Sequence, residues 1–313
     1  MLAPDIEVVE QIPSFLLTQG RIDYDGRPIF GFSSEFLVEN LMSISKDIEI
    51  IPAHSWTPWF GIFGSMSGFN SLKEAFGDKM KNIHAIETGM SSNPEMNWRL
   101  SELNEKTIVS FSDAHSFHPY RIGREATIFN FKNTEEINYK EIIKQIRNNE
   151  ILGTIETDPA YGKYHYDGHR DCNFSCSPAE SKKLNNICPI CKKQLVIGVE
   201  NRVEELADRP IGFKPDNSKP FHQILPLQEI IALLNNSAVT SKKVLEKYNE
   251  FIFSLGNEFY ILLNAEKEKL AKFMEGRLVE LILLNRQGKL KVKPGYDGEY
   301  GKAIMPEKQA KLF

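Results

Sequence analysis

The strongest constraint on the fold is an alternation of strand-like and helix-like segments between residues 26 and 160. Apolar runs rich in β-branched residues recur about every thirty residues, the length of one strand with its helix; they are DIEIIPAH, NIHAIETG and TIVSFSDAH. A further run, ILGTIET, carries Glu156 near its end and follows a predicted helix over 138–149; other predicted helices cover 68–76 and 94–104. The pattern predicts an α/β fold built around parallel strands.

Side chains of the metal-ligand type stand at three of these strand ends. His54 ends the first strand, and Glu87 lies near the end of the second. Asp113 and His115 end the third and, being two residues apart, point the same way. An Asp-x-His pair alone is more often an ordinary turn, but the carboxyl ends of strands in a parallel α/β barrel meet on one face. The set therefore predicts a metal or acid–base site. His84 falls on the opposite strand face and is expected to pack or to face solvent instead of binding metal.

Two further pairs are candidates for substrate binding. Trp56 and Trp59 lie in the glycine-rich loop SWTPWFGIFGSMSGF after the first strand. They could stack on a nucleobase, or the loop could fold onto the core as a lid. Arg121 and Arg124 follow the Asp-x-His pair in HPYRIGREA and could hold a phosphate bidentately. Solvated surface arginines are the equal alternative.

All the cysteines of the chain fall within twenty residues, as C-x3-C and C-x2-C pairs separated by eleven residues: Cys172, Cys176, Cys188 and Cys191. Two tight pairs of thiolates suit a closed, tetrahedral structural zinc site. Four free thiols in a reduced protein would leave the paired spacing unexplained. His165 and His169 stand just upstream and could replace a ligand, although four cysteines already suffice.

Composition limits the partners. With 38 Lys and Arg against 42 Asp and Glu, the net charge is −4, so a nucleic-acid contact must come from local basic patches. Lys182 and Lys183 beside the cysteines are such a patch, predicted to contact a DNA backbone or else to form a solvated rim. No apolar run of membrane-spanning length or secretory signal is present, which predicts a cytoplasmic protein with no membrane partner.

The segments divide into three predicted domains. Residues 1–160 form the α/β part, 161–222 the zinc module with a linker, and 223–313 a helical C-terminal domain. The last contains amphipathic helices over 227–235, 241–255 and 268–287, followed by a closing hairpin-like segment, GKLKVKPGYDGEYGK.

Taken together, IPAHSWTPWFG, AIETGMSSNPEMNWRL, SFSDAHS, GKYHYDGHRDC, the cysteine set, RVEELADRP and PGYDGEYGK resemble the endonuclease Q group of polymerase-and-histidinol-phosphatase (PHP) domain proteins. The resemblance spans essentially the whole chain. It implies a distorted (β/α)7 metal barrel, here partial and lacking its first strands, with a four-cysteine zinc module and a helical C-terminal region. The implied activity is metal-dependent hydrolysis of DNA on the 5′ side of deaminated bases, such as uracil and hypoxanthine, or at abasic sites.

The resemblance also implies roles for the strand-end residues. His54, Asp113 and His115 would bind divalent Zn, Mn or Mg, and Glu87 would support them without being a ligand. Clustered metals of this kind polarise a phosphodiester and activate water. Partners would be damaged DNA and, by the same likeness, replication or repair proteins.

The main departure from the family pattern is the absence of a His-x-His strand, which leaves about half of the ligand set and predicts impaired cleavage. A gene start placed downstream, a fragment and true loss are the three explanations. Smaller departures are the C-x3-C knuckle and Asn201, where the family is expected to carry histidine. Two other functions fit the residues, a non-catalytic DNA-binding or helicase-associated module and a PHP phosphoesterase.

Overall fold

The computed structural model describes residues 1–24 and 28–306. The first half is an α/β region with short elements: α1 (Ile6–Gln19), α2 (Ser34–Ile44), α3 (Leu72–Phe76), β1 (Ala85–Glu87), α4 (Pro94–Asn97), β2 (Thr107–Val109), α5 (Pro119–Ile122), β3 (Ala126–Ile128), α6 (Tyr139–Arg147) and β4 (Gly153–Glu156). Short 3₁₀ turns connect several of them. The predicted helices over 68–76, 94–104 and 138–149 contain α3, α4 and α6.

The middle of the chain carries the cysteines and a linker. Its elements are β5 (Asp167–His169), β6 (Phe174–Cys176), α7 (Pro178–Lys183), α8 (Val199–Leu206) and β7 (Phe221–Gln223). β5 and β6 form an antiparallel hairpin in which His169 lies opposite Phe174 and Asp167 opposite Cys176.

The C-terminal region is mostly helical, as its amphipathic periodicity predicts. It contains α9 (Leu227–Asn235), α10 (Lys242–Leu255), a π-helical turn (Tyr260–Asn264), α11 (Lys267–Leu270), α12 (Gly276–Arg286), β8 (Val292–Lys293) and β9 (Lys302–Ala303). β8 and β9 are antiparallel and close the segment. Among the described residues, no helix has the length and apolarity needed to cross a membrane.

The local sequence determines where the early helices begin. Most of them are preceded by an N-cap residue whose side-chain oxygen can accept a hydrogen bond. Asp5 accepts a hydrogen bond from the backbone N–H of Val8, and Ser33 accepts one from Phe36. Asn138 does the same for Glu141 at the start of α6. Each contact satisfies a backbone donor that the first helical turn leaves unpaired.

The strands form small sheets instead of one long ladder. β1 and β2 are parallel, with Glu87 opposite Val109. β4 lies between β3, which is antiparallel to it, and β7, which is parallel. The predicted strand DIEIIPAH is wrong in extent, because only Glu49 of it makes a bridge, to Leu2. Side chains of this segment, such as Ile48, still pack in an apolar core together with residues of α1 to α3.

Two large apolar cores hold the molecule together. One lies under α1 to α3 and includes Trp56 and Phe63, which are both fully buried. The other gathers the C-terminal helices and reaches Ile155 on β4. Asn285 of α12, itself 2% exposed, bonds both the N–H and the carbonyl of Leu225, at 2.9 and 3.0 Å. The C-terminal helices are thus packed against the strands of the first half.

Candidate functional site

Glu87 is the buried centre of the candidate site at the carboxyl end of β1. Its Oε2 accepts the backbone N–H of His54 at 2.5 Å, which fixes the end of the preceding segment beside the strand. His54 has a φ of +34°, a conformation that costs energy in a residue with a side chain. Its Nδ1 lies 3.1 Å from Oγ1 of Thr57.

Asp113 and His115 follow β2 and form a close, accessible pair. His115 Nε2 lies 3.0 Å from Asp113 Oδ1, and the His115 and Asp113 side chains are 62% and 49% exposed. Asp113 also has a positive φ, +43°. Burial raises the pKa of Glu87, the His54 N–H and imidazole act to lower it, and the Asp113 carboxylate adds to the rise. Glu87 therefore lies within electrostatic reach of both His54 and Asp113.

These strand-end residues do not form a ready-made metal cage. In the ranges 1–24 and 28–306, only one group of three or more His, Cys, Asp or Glu ligand atoms gathers within 4.8 Å, and it lies in the cysteine module. Of the four predicted residues, only Asp113 and His115 have their side chains in direct contact with each other. At this site the described residues thus supply two side chains that could bind a metal, Asp113 and His115, with His54 and Glu87 beside them.

Two buried carboxyl groups beside this site were not predicted as functional. Glu125 is 3% exposed and accepts the backbone N–H of Met90 at 3.0 Å and of Thr157 at 3.3 Å. Glu156, at the end of β4, is fully buried and accepts the hydroxyls of Thr88 at 2.7 Å and Thr154 at 2.5 Å. Charged residues inside β-branched runs, as in REATIF and GTIET, are the sequence signal for both.

The environment of these two groups favours their protonated forms. Burial raises the pKa of Glu156 to about 7, although the hydroxyls of Thr154 and Thr88 act to lower it. Burial and the neighbouring Glu156 raise the pKa of Glu125 well above its usual range. Protonation lowers the cost of keeping both carboxyl groups buried.

Arg124 holds the loop that carries Asp113. It is 7% exposed; its Nε donates to the carbonyl of Ser112 at 2.7 Å and its Nη2 to that of Asp113 at 3.0 Å. This corrects the prediction of a phosphate-binding side chain, because the guanidinium is turned onto the backbone. Arg121 is partly exposed and donates to the Tyr300 hydroxyl at 3.0 Å, so it remains accessible to a ligand.

The cysteine module contains a group of one histidine and three cysteines that could bind a metal ion. Ligand atoms of His169, Cys172, Cys188 and Cys191 all lie within 4.8 Å of one another, and His169 Nδ1 is 3.8 Å from Cys191 Sγ. Tetrahedral zinc places sulfur and nitrogen ligands roughly 3.6–3.8 Å apart. Burial acts to raise the pKa of Cys188, but the N–H groups of Cys191 and Ile190 outweigh it and lower the pKa. Three thiols, an imidazole and donors aimed at a sulfur fit a structural zinc ion.

Cys176 lies outside this group, which corrects the predicted four-cysteine set. In the hairpin Cys176 lies opposite Asp167, whereas His169 is two residues further along β5. Two residues along a strand are about 6.6 Å, so His169 reaches the other thiols. Cys176 is buried with Cys188 and Leu195 in the module's small core.

Comparison with known proteins gives the family. A family description named MJ0043 C-terminal domain matches residues 226–289. The uncharacterized protein MJ0043 of Methanocaldococcus jannaschii is 35% identical over 259 residues, which cover 81% of this chain and 32% of that protein. The uncharacterized protein YqxK of Bacillus subtilis is 30% identical over 276 residues, covering 86% of this chain and 66% of YqxK. The chain thus spans about a third of the first relative and 66% of the second.

Two solved structures show which family the chain belongs to. The lesion-specific endonuclease PfuEndoQ of Pyrococcus furiosus is 31% identical, with a TM-score of 0.85 over 99% of this chain and 76% of that one. The chain belongs to the endonuclease Q family. A crystal structure of endonuclease Q with a 27-mer duplex substrate, whose abasic lesion lies at the active site, matches at a TM-score of 0.87 and 30% identity over the same shares. The family predicted from the motifs is confirmed.

In this member of the endonuclease Q family, some of the remaining residues that were predicted to bind substrate are buried and others are exposed. Trp56 is fully buried, and its ring packs at a tilt against Phe63 with 4.8 Å between the ring centroids. Its indole N–H donates to Asn97 Oδ1 at 2.9 Å, so its predicted contact with a base is wrong. Trp59 is 38% exposed and meets Tyr164 edge-on. Lys182 and Lys183 are exposed on α7. His84 packs as expected, with Nδ1 3.0 Å from Glu49.

Proposed function

We propose that the chain is a metal-dependent DNA repair endonuclease that cleaves the phosphodiester 5′ to a deaminated base or at an abasic site. The observation that carries the proposal is the exposed Asp113–His115 pair beside buried Glu87 at the ends of β1 and β2. The family supports it, because a related endonuclease Q holds a duplex with an abasic lesion at its active site.

The proposed chemistry places divalent metal at this pair. Asp113 and His115 would contribute two ligands, and metal there would polarise the phosphodiester and lower the pKa of a bound water. Glu87 fixes the backbone of His54, and Arg124 fixes the carbonyls of Ser112 and Asp113. These contacts hold the loops that carry His54 and Asp113 in place before a substrate arrives.

The finer architecture is part of the same proposal. β1, β2 and β4 would be strands of a partial PHP-type barrel spanning residues 1–160. A zinc ion held by His169, Cys172, Cys188 and Cys191 would order the module of residues 161–222. Exposed Lys182 and Lys183 would contact the DNA backbone, and residues 223–313 would form a helical domain. Other repair or replication proteins remain proposed partners.

The test is cleavage of a duplex that carries one uracil or one abasic site, with Mn²⁺ or Mg²⁺ supplied. Because about half of the family's ligand set is present, we expect slow nicking on the 5′ side of the lesion. Asp113→Asn should abolish it, because the carboxylate ligand is removed. Asp78→Asn, which changes an exposed aspartate in a 3₁₀ turn, is the matched control and should cleave as the unaltered chain does. A chain that binds the duplex and cuts neither lesion contradicts the proposal.

One observation favours a second candidate, a non-catalytic DNA-binding module. Only two of the predicted barrel ligands, Asp113 and His115, are in direct contact. This candidate predicts equal affinity for lesion-containing duplex with and without Mn²⁺ and no nick at any metal concentration.

A further inference from the structure

A column of stacked side chains begins two residues after His115. The rings of Phe117 and His118 lie 4.8 Å apart at an angle of 29°, and those of His118 and Tyr120 lie 5.7 Å apart at 25°. The guanidinium of Arg121 sits 5.0 Å from the centre of the Tyr120 ring. We call Phe117, His118 and Tyr120 the aromatic column.

One end of the aromatic column faces solvent. Phe117 is 83% exposed, so most of its ring is open to solvent. The other end is closed by cations, since Arg121 also lies 5.2 Å from the Tyr300 ring and Lys163 lies 4.7 Å from the same ring. An open ring face at one end and positive charge at the other suit one base of a strand and the phosphates of nucleotides further along it.

The column borders an open cavity of about 580 Å³, lined in part by Tyr120, Arg121, Tyr161, Asn236, Ser237 and Tyr300. Its walls combine ring faces, a cation and amide and hydroxyl groups. These are the groups that bind unpaired nucleotides without a strict sequence preference.

We propose, on the basis of the function proposed above, that the aromatic column is a binding site for single-stranded nucleic acid. An unpaired base stacks on the outer face of Phe117 and extends the column by one ring. Phosphates further along the same strand lie along Arg121 and Lys163 toward the cavity. A paired base offers no free face within a duplex, so the site distinguishes unpaired from paired strands close to Asp113 and His115.

The test measures binding alone, with no lesion and no added divalent metal. The zinc-loaded chain is titrated into a fluorescently labelled eight-nucleotide oligothymidylate, and anisotropy gives Kd. Phe117→Ala should raise Kd at least about 5-fold, the lower end of what one base–ring stack contributes. Phe117→Trp should keep the affinity, and Phe117→Leu should behave like alanine because it restores apolar area without a ring.

The matched control is Phe253→Ala, which removes a 94% exposed phenylalanine from α10 and should leave Kd unchanged. A closed circular duplex, which has no terminal base pairs, should bind all variants equally. The proposal is overturned if the oligothymidylate does not bind, if Phe117→Ala binds it normally, or if duplex binding is weakened to the same degree. Cleavage of lesion-containing duplex is scored separately, so either idea can fail alone.

Discussion

At the scale of single residues, the site depends on carboxyl groups placed in very different surroundings. Asp113 is accessible, Glu87 is buried with a backbone N–H as its partner, and Glu156 is buried with two hydroxyl donors. Exposure leaves Asp113 free to take a cation. Burial favours a proton on Glu156, which then holds the strand ends together as a neutral group.

The pKa of Glu156 makes stability depend on pH. Unfolded, this group releases its proton near 4.5, whereas burial keeps it protonated in the folded chain up to about pH 7. Between these values the folded state binds more protons, so the free energy of unfolding falls as pH rises from 5 to 8, by up to about 3 kcal/mol. Urea denaturation at several pH values measures the slope.

Glu156→Gln cannot release a proton and should flatten that slope, leaving the part that Glu125 contributes. Glu105→Gln removes an exposed carboxyl group of the same chemistry and should keep the full slope. An unchanged pH dependence in Glu156→Gln would show that this carboxyl group does not hold a proton in the folded chain.

The two tryptophans of the loop after His54 should behave oppositely. Trp56→Ala removes a fully buried ring and a hydrogen bond to Asn97, so the free energy of unfolding should fall by about 3–5 kcal/mol. Trp59→Ala removes a partly exposed ring and should change it by no more than about 1 kcal/mol. Denaturation of both variants in parallel measures the difference, and similar losses would contradict the assigned burial.

At the scale of elements, the β5–β6 hairpin decides which side chains form the metal group. Its register brings the ligand atom of His169, and not that of Cys176, within 4.8 Å of the ligand atoms of Cys172, Cys188 and Cys191. Cysteine spacing alone cannot give this result, because it says nothing about which residues lie opposite each other across the hairpin.

The metal content of two variants tests this register. His169→Ala should lose zinc, or hold it far more weakly against a chelator, and its Tm should fall because the metal stabilises the module. Cys176→Ala should retain about one zinc per chain. Elemental analysis after dialysis against chelator gives the content, and the reverse pattern would restore the four-cysteine site.

Elements with strong periodicity were predictable and short ones were not. α9 occupies 227–235 and α10 242–255, close to the bounds expected from their apolar faces. DIEIIPAH has the composition of a strand, yet it makes only one bridge, because pairing depends on a distant partner that local sequence does not specify. Glu125 was missed for a similar reason, since its burial arises from the pairing of β3 with β4.

At the scale of the whole molecule, the candidate site lies on strands that the C-terminal helices help to hold. β4 pairs with β7, Ile155 packs in the C-terminal core, and Asn285 of α12 bonds the backbone of Leu225 just after β7. The boundaries predicted at 160 and 222 therefore divide segments that share a sheet, and those domain limits stay a prediction.

The central claim is that Asp113 and His115 bind a catalytic divalent metal, and Mn²⁺ binding tests it most directly. Isothermal titration of the zinc-loaded chain should detect a Mn²⁺ site whose affinity falls about 10-fold or more in the double variant Asp113→Asn, His115→Gln. Asp78→Asn should bind as the unaltered chain does. Mn²⁺ binding of equal strength in the double variant would contradict the account.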